Sequence, residues 1–471
     1  MPHPRTILIL FLFFFLGGCP PQNRTPEYRT VSAEDGQLLL YLQPLPQEAQ
    51  NLRLTISSIS VRYSNGKEIT AQLQSPEIRS VDRQPIQTQL ASAILPPGSC
   101  TGLALQLKEA FARAEEGEIA LSVPEKAILI DLPFDVARGK ITTLFLSLQP
   151  SELKGNRPRL DTLFTLAPAH RPILNLTGYI SNADVNTISI FNKKSLRIVD
   201  TLTTSPGPIG VVLDRIRNRA YVAAERANMV EAIDLIKSEV VDRLRLRLND
   251  HPIDLALSPD GRLLIAVNSD SNSISVIDAL AMVETNRINV GEGPRSAVIA
   301  PTGARAFVMN TRSSTISVID LTQMSAALTI GVEGAPLRAA FNPDGSKMFV
   351  IRRDSASLAV IDLARLAATS DIFVGMGARC ITADPSSGLL YIGFARSKEI
   401  AVVDRFASTF IDLIEADGHT AYISIDQEEK ALFALQPDRK QLVRIDLVSK
   451  KINAVMDLAD GANTIAVMGE R

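Results

Sequence analysis

Three arginines at nearly equal spacing, Arg295, Arg338 and Arg379, are the residues of this sequence best suited to one shared chemical task. A guanidinium is planar, stays charged at physiological pH and offers paired donors that match a carboxylate or phosphate. Three that converge would make a cationic funnel for a small anion. Asp254, His419, Tyr422 and Asn463 fall at or beside the same register position and complete the candidate ligand-binding set. Arginines on loops are also commonly solvated or paired with acids, and that plainer reading stands beside the funnel. If all three are exposed, replacing them should leave folding stability nearly unchanged.

Other chemistry finds little footing. The sequence has no Cys-X-X-Cys-His, no His-Glu-X-X-His, no Walker loop and no Gly-X-Ser-X-Gly elbow. Of its 4 histidines, His3 lies in the leader, His170 in a linker, and His251 and His419 in loops that enter strands. Neither loop histidine has a carboxylate or cysteine cluster near it in sequence, so no metal, cofactor or catalytic set is assigned. An aspartate does recur, as Asp234, Asp278, Asp320, Asp362, Asp404 and Asp446, with Asn192 in the first copy. In every copy it ends an apolar segment before a turn, where a short carboxylate holds backbone N–H groups without any ion.

That recurrence is the organising feature. The landmarks are 42 residues apart except for one gap of 44, and a period of about 40 to 45 residues marks four-stranded propeller blades. An aromatic position keeps the same register as Tyr179, Tyr221, Phe307, Phe349, Tyr391 and Phe433, with Ile265 in the third copy. Turn signals such as Pro301-Thr302-Gly303 join the apolar runs. One copy parses into strands at Ser296 to Ala300, Ala306 to Asn310, Ser314 to Asp320 and Ala326 to Ile330. The first copy lacks an inner strand and the C-terminus has a spare one, Asn463 to Met468, so the expectation is that the chain's end completes the first blade and closes the ring.

The segments Tyr179-Ile-Ser-Asn182, Ile265-Ala-Val-Asn268 and Phe307-Val-Met-Asn310, followed by Ile274-Ser-Val-Ile-Asp278 and Ile316-Ser-Val-Ile-Asp320, resemble YVTN-family β-propeller repeats of bacterial and archaeal envelope proteins. The resemblance covers about residues 175 to 468 and implies a fold rather than an activity, because such propellers serve as binding, surface and enzyme domains alike. The later copies depart from it, with Arg352, Phe394 and Gln436 where the Asn is expected.

Ahead of the repeats, Arg5 and an apolar run from Ile7 to Leu16 lead into Leu16-Gly17-Gly18-Cys19. The run is too short to span a bilayer and reads as a signal-peptide core. Leu-Gly-Gly-Cys resembles the lipobox of bacterial lipoproteins, which implies acylation of Cys19 as the first mature residue, and Pro20 after it favours the outer membrane where the organism has one. Residues 1–18 are thus the expected signal peptide and 19–34 a lipidated Cys with a Pro-rich tether. Residues 35–168 lack the period and alternate as strands, predicting a small β-sandwich that loosely resembles a domain of unknown function in bacterial lipoproteins. Residues 169–471 form the seven-bladed β-propeller, so the fold class is all-β. Cys100 and Cys380 fall in different units and are expected to be free.

A net charge of −2 with 21% charged residues gives no signal for nucleic acid, and 5% aromatics without Trp argue against stacking platforms. The expected partners are the membrane, through the lipid, and either an envelope protein or a small anionic ligand. Two functions remain: an extracytoplasmic, lipid-anchored binding protein, and an envelope enzyme of the propeller lactonase or lyase type. The latter resemblance implies several acids around a central metal, whereas the register series supplies only Asp254 and Asn463, and the binding reading is preferred.

Overall fold

Strand-forming alternation dictates nearly all of the structure. The computed structural model describes residues 34–79, 86–114, 117–153, 159–342, 344–384 and 386–469. Cys19, the leader and the tether up to residue 33 lie outside the described residues.

From Thr177 onward the described residues form seven four-stranded antiparallel sheets, here called blades and numbered in chain order. Blades 2 to 7 begin with the inner strands Pro208–Asp214, Pro252–Leu257, Pro294–Ile299, Pro336–Phe341, Ala378–Ala383 and Tyr422–Asp426. Blade 1 has Thr177–Asn182 as its second strand, and its inner strand is the C-terminal Ala462–Val467, paired antiparallel with Gly178 opposite Val467. Ala462–Val467 also lies against the inner strands of blades 2 and 7, so the inner strands follow one another in a closed cycle. The architecture is that of a β-propeller. Its strand-to-strand turns use the expected chemistry, as at Gly303, whose φ of 75° suits the residue without a Cβ.

The recurring aromatics are the glue between blades. Tyr179, Tyr221, Phe307, Phe349, Tyr391 and Phe433 are all buried, with Ile265 in the same place in blade 3. Tyr221 keeps its hydroxyl satisfied by donating to the Ala279 carbonyl at 2.8 Å. Each turns a large apolar surface from water onto the adjacent blade, a contribution of about 1.5–3 kcal/mol per side chain.

Where the ring closes, an ion pair is buried. Lys193 and Asp426 meet at 2.6 Å with side chains 1% and 0% exposed, and Lys193 Nζ also donates to the Met468 carbonyl at 2.7 Å. One ammonium therefore ties together blade 1, blade 7 and the end of the closing strand.

The N-terminal residues build a five-stranded and a six-stranded sheet around a common apolar core that includes Leu38, Leu40, Leu54, Ile59, Leu103 and Leu146. Strand Gly98–Ala114 pairs back on Gly117–Ala120, so the segment around Ala110 is part of a long hairpin. Five strands escaped the sequence reading, three of them the short Glu68–Thr70, Gln72–Leu73 and Glu77–Arg79. Thr88–Leu95 carries small residues, Ala91, Ser92 and Ala93, that give a weak apolar signal, and Phe164–Pro168 is short. This unit packs on blades 1 and 7 through Leu39, Tyr41 and Phe145 against Phe191 and Phe433. Gln87 imitates a strand there: its Oε1 accepts from the Ile198 N–H at 2.7 Å and its Nε2 donates to the Ile198 carbonyl at 3.1 Å.

Candidate functional site

Antiparallel pairing puts two residues of every blade at the same end of the central channel. In blade 4, Pro294 at the start of the inner strand lies opposite Asn310 at the end of the second; in blade 5, Pro336 lies opposite Arg352. The residues at these strand ends surround a cavity of about 1100 Å³. Its wall comes from the inner-strand starts, including Ile253, Arg295, Leu337, Arg379, Ala421 and Asn463, and its mouth from the turns after the second strands.

Arg295, Arg338, Arg379, Tyr422 and Asn463 all line this cavity. They do so in different states. Arg295 and Arg379 are exposed, and neither makes an ion pair with another described residue. Arg338, by contrast, is held. Its Nη1 lies 3.5 Å from Asp254 Oδ1, with the side chain 22% exposed, and its guanidinium sits 4.9 Å from the centroid of the Tyr422 ring. The expectation that all three arginines are exposed surface charges is therefore corrected: an inner strand carries Arg338 one residue deeper than Arg295 or Arg379, onto a buried acid and an aromatic face.

Asp254 lies beneath that contact rather than in the cavity lining. It is 6% exposed, and its Oδ2 accepts from the Ala297 N–H at 3.2 Å. Burial pushes its carboxyl above the ordinary aspartate range, opposed by the nearby Arg338 and the Ala297 N–H. Arg295 is exposed as a residue, yet its guanidinium sits between the cavity walls, where partial desolvation and then the like charge of Arg338 lower its pKa and Asp254 partly offsets them. Gly210 makes room for this arrangement, since a Cβ there would come within 3.0 Å of the Asp254 Cα.

Other positions of the same register do not contribute. Ser296 donates to the Leu337 carbonyl at 2.7 Å, and Cys380 is a buried free thiol whose pKa burial pushes up to about 12. Cys100 is likewise free. His419 is absent from the cavity lining; its Nδ1 faces Asp438 Oδ2 at 2.9 Å. His251 stands 4.0 Å from Asp270. The recurring aspartates lie at the opposite ends of the strands from the cavity, as the pairing of Asp320 with Arg305 shows. Each folds its carboxylate onto its own turn, as where Asp278 Oδ1 accepts from the N–H groups of Leu280 and Ala281 at 2.9 Å. The Asn of the repeat is structural too, with Asn268 Nδ2 donating to Ser273 and Ser275. Where Arg352 replaces it, the guanidinium donates to the Ser357 carbonyl and to Asp371.

The structure adds residues that the sequence reading missed. Arg312, Arg353 and Arg396 also line the cavity, on blades 4, 5 and 6 where the wall arginines lie. The second residue beyond each second strand runs around the ring as Asp184, Arg226, Asp270, Arg312, Asp354, Arg396 and Asp438. Acid and base alternate. Five acids or bases of the series have a neighbour: Arg226 and Asp184 approach each other at 3.9 Å, Asp270 and Asp438 face the two histidines, and Asp354 takes Arg353 at 3.0 Å. Arg312 and Arg396 form no ion pair with a described residue. The 42-residue register contains this series as plainly as it contains the aspartate ladder.

No family model matches this chain, and no curated protein matches it. Among solved structures, hydrazine synthase of Kuenenia stuttgartiensis aligns with a TM-score of 0.50 at 19% identity over 56% of this chain and 90% of its own. A functionally unknown protein from Desulfotomaculum acetoxidans DSM 771 aligns with a TM-score of 0.56 at 13% identity, over 63% of this chain and 99% of its own. Dihydro-heme d1 dehydrogenase NirN, in complex with DHE, aligns with a TM-score of 0.51 at 14% identity over 64% and 77%. What this chain shares with these proteins is the β-propeller fold.

Proposed function

We propose that this protein is a lipid-anchored binding protein of the cell envelope, built on YVTN-type repeats, whose propeller receives a small anionic ligand at one end of its channel. The observation that carries the reading is the convergence of arginines from three consecutive blades on one cavity of about 1100 Å³, a volume at the upper end of small-molecule sites. Such a cluster attracts anions because the concave walls limit how far water can screen the guanidinium charges. Most acids near it are already engaged, Asp254 with Arg338, Asp354 with Arg353 and Asp184 with Arg226, which leaves Glu225 as the one lining acid without an ion pair to a described residue. That engagement favours binding over the lactonase or lyase alternative, whose chemistry needs carboxylates turned inward. The lipid anchor rests on the Leu-Gly-Gly-Cys19 sequence, and a mature N-terminus that mass spectrometry finds elsewhere or unacylated would remove it.

Calorimetry of the full mature chain with phosphate and acetate, at low and high ionic strength, tests the ligand class. Binding should weaken as salt is raised, and the Arg295→Ala/Arg379→Ala double variant should lose about tenfold in affinity, the equivalent of one charged hydrogen bond. Absence of any anion binding, or turnover of a lactone, would overturn the reading.

A further inference from the structure

The cavity holds more unpaired positive charge than one small anion can meet. Two levels of guanidinium face it on blades 4 to 6: Arg295, Arg338 and Arg379 on the wall, and Arg312 with Arg396 in the mouth. Arg338 is the fixed member, gripped by Asp254 and backed by Tyr422. The mouth pair differs from the rest of its alternating series, because Arg226, Asp270, Asp354 and Asp438 each have an oppositely charged or histidine neighbour. Across the cavity stand Asp184 and Glu225, which repel an anion and restrict it to the arginine side. A lone carboxylate or phosphate would occupy a small part of about 1100 Å³ and leave one level of arginines without a counter-charge.

We propose that the ligand is a small molecule with two or more separated anionic groups, one seated at Arg338 between Arg295 and Arg379, the other at the mouth between Arg312 and Arg396. The inference rests on the anion-binding reading and narrows it. The wall supplies the rigid station, since a guanidinium already fixed by a carboxylate and a ring loses little freedom when it accepts a ligand. The mouth supplies the second station, and joining two anions in one molecule turns the second contact into an intramolecular one. Both phosphate and carboxylate chemistry satisfy the geometry.

Calorimetry of the full mature chain, freed of divalent ions on a chelating resin so that no soluble polyanion is present, compares phosphate with tripolyphosphate and acetate with citrate. The multi-anion of at least one pair should bind about tenfold or more tightly than its single-group counterpart, and the pair that does so identifies the chemistry. The Arg312→Ala/Arg396→Ala variant should lose that gain, its affinity for the multi-anion falling at least about fivefold more than its affinity for phosphate or acetate, since the wall level is intact. Arg312→Lys/Arg396→Lys, which keeps the charge, should retain part of the gain and guards against a folding artefact. Equal affinity for single-group and multiple-group anions, or a mouth variant indistinguishable from wild type, overturns the two-station inference and leaves the anion reading standing. Failure of every anion to bind overturns that reading itself.

Discussion

The closure seam and the arginine sector put the same kind of group to opposite use. At the seam, one ammonium and one carboxylate are sealed from water at 2.6 Å, and the Met468 carbonyl takes a further bond from the ammonium. In the sector, on the far side of the ring from the N-terminal unit, Arg295, Arg312, Arg379 and Arg396 face a cavity with no ion-pair partner among the described residues. Taking charge out of water is costly, so a buried pair survives only when its bonds are complete. Charge left open to water contributes little to folding and remains available to a ligand. Arg338 lies between these extremes, half committed to Asp254 and half open to the cavity.

The largest effect is expected from breaking the seam. Lys193→Ala would strand the Asp426 carboxylate in the core and should cost about 3–5 kcal/mol, whereas Lys193→Leu/Asp426→Leu, which removes both charges, should cost far less. Denaturant unfolding of the two variants decides it. If Lys193→Ala unfolds with the wild type, the seam is not sealed by this pair.

The intermediate effect falls in the sector itself. Arg338→Ala removes the partner of a buried carboxylate together with a cation–ring contact and should destabilise by about 1–3 kcal/mol. Arg295→Ala and Arg379→Ala should each stay within about 0.5 kcal/mol, as exposed charges do. Equal thermal midpoints for all three single variants would place Arg338 with the free arginines and erase the distinction drawn above.

Asp254 gives the smallest and most diagnostic effect. Its carboxyl titrates above the ordinary aspartate value because it is buried, so the folded state holds the proton at a pH where the unfolded chain has released it. Wild type should therefore gain stability over Asp254→Asn as the pH falls through the raised value, and the gain should level off near the ordinary aspartate value. It is lost again as the pH rises. A difference between the two proteins that does not change with pH would mean that Asp254 is not desolvated.

Much of this was legible in the sequence, because repetition amplifies weak signals. The strands, the aromatic core and the pairing of the C-terminal strand with Tyr179's strand all follow from one period, and each copy corroborates the others. Five of the seven candidate ligand residues also line one cavity. Individual side-chain states were not legible. Whether Arg338 is free depends on Asp254, two blades away in the ring. His419 occupies the expected loop yet turns to Asp438. Lys193 reads as an ordinary loop lysine, although its equivalents Leu235, Ala279, Leu321, Leu363 and Leu447 are apolar. A charged residue where a repeat is otherwise apolar marks a buried exception, and Arg405, the other member of that series, is 3% exposed with a bond of 2.6 Å to the Asp384 carbonyl.

The alternating mouth has a property that comes from arithmetic alone. A pattern of two signs cannot go around seven positions without a fault, and here the fault is two like members side by side, Asp438 and Asp184, at the point where the last blade meets the first. A ring of identical blades would look the same from every azimuth. This one carries a compass mark, with its negative pole at the seam and its positive pole across the channel, and such a field would turn an anisotropic ion arriving along the axis to one heading before contact.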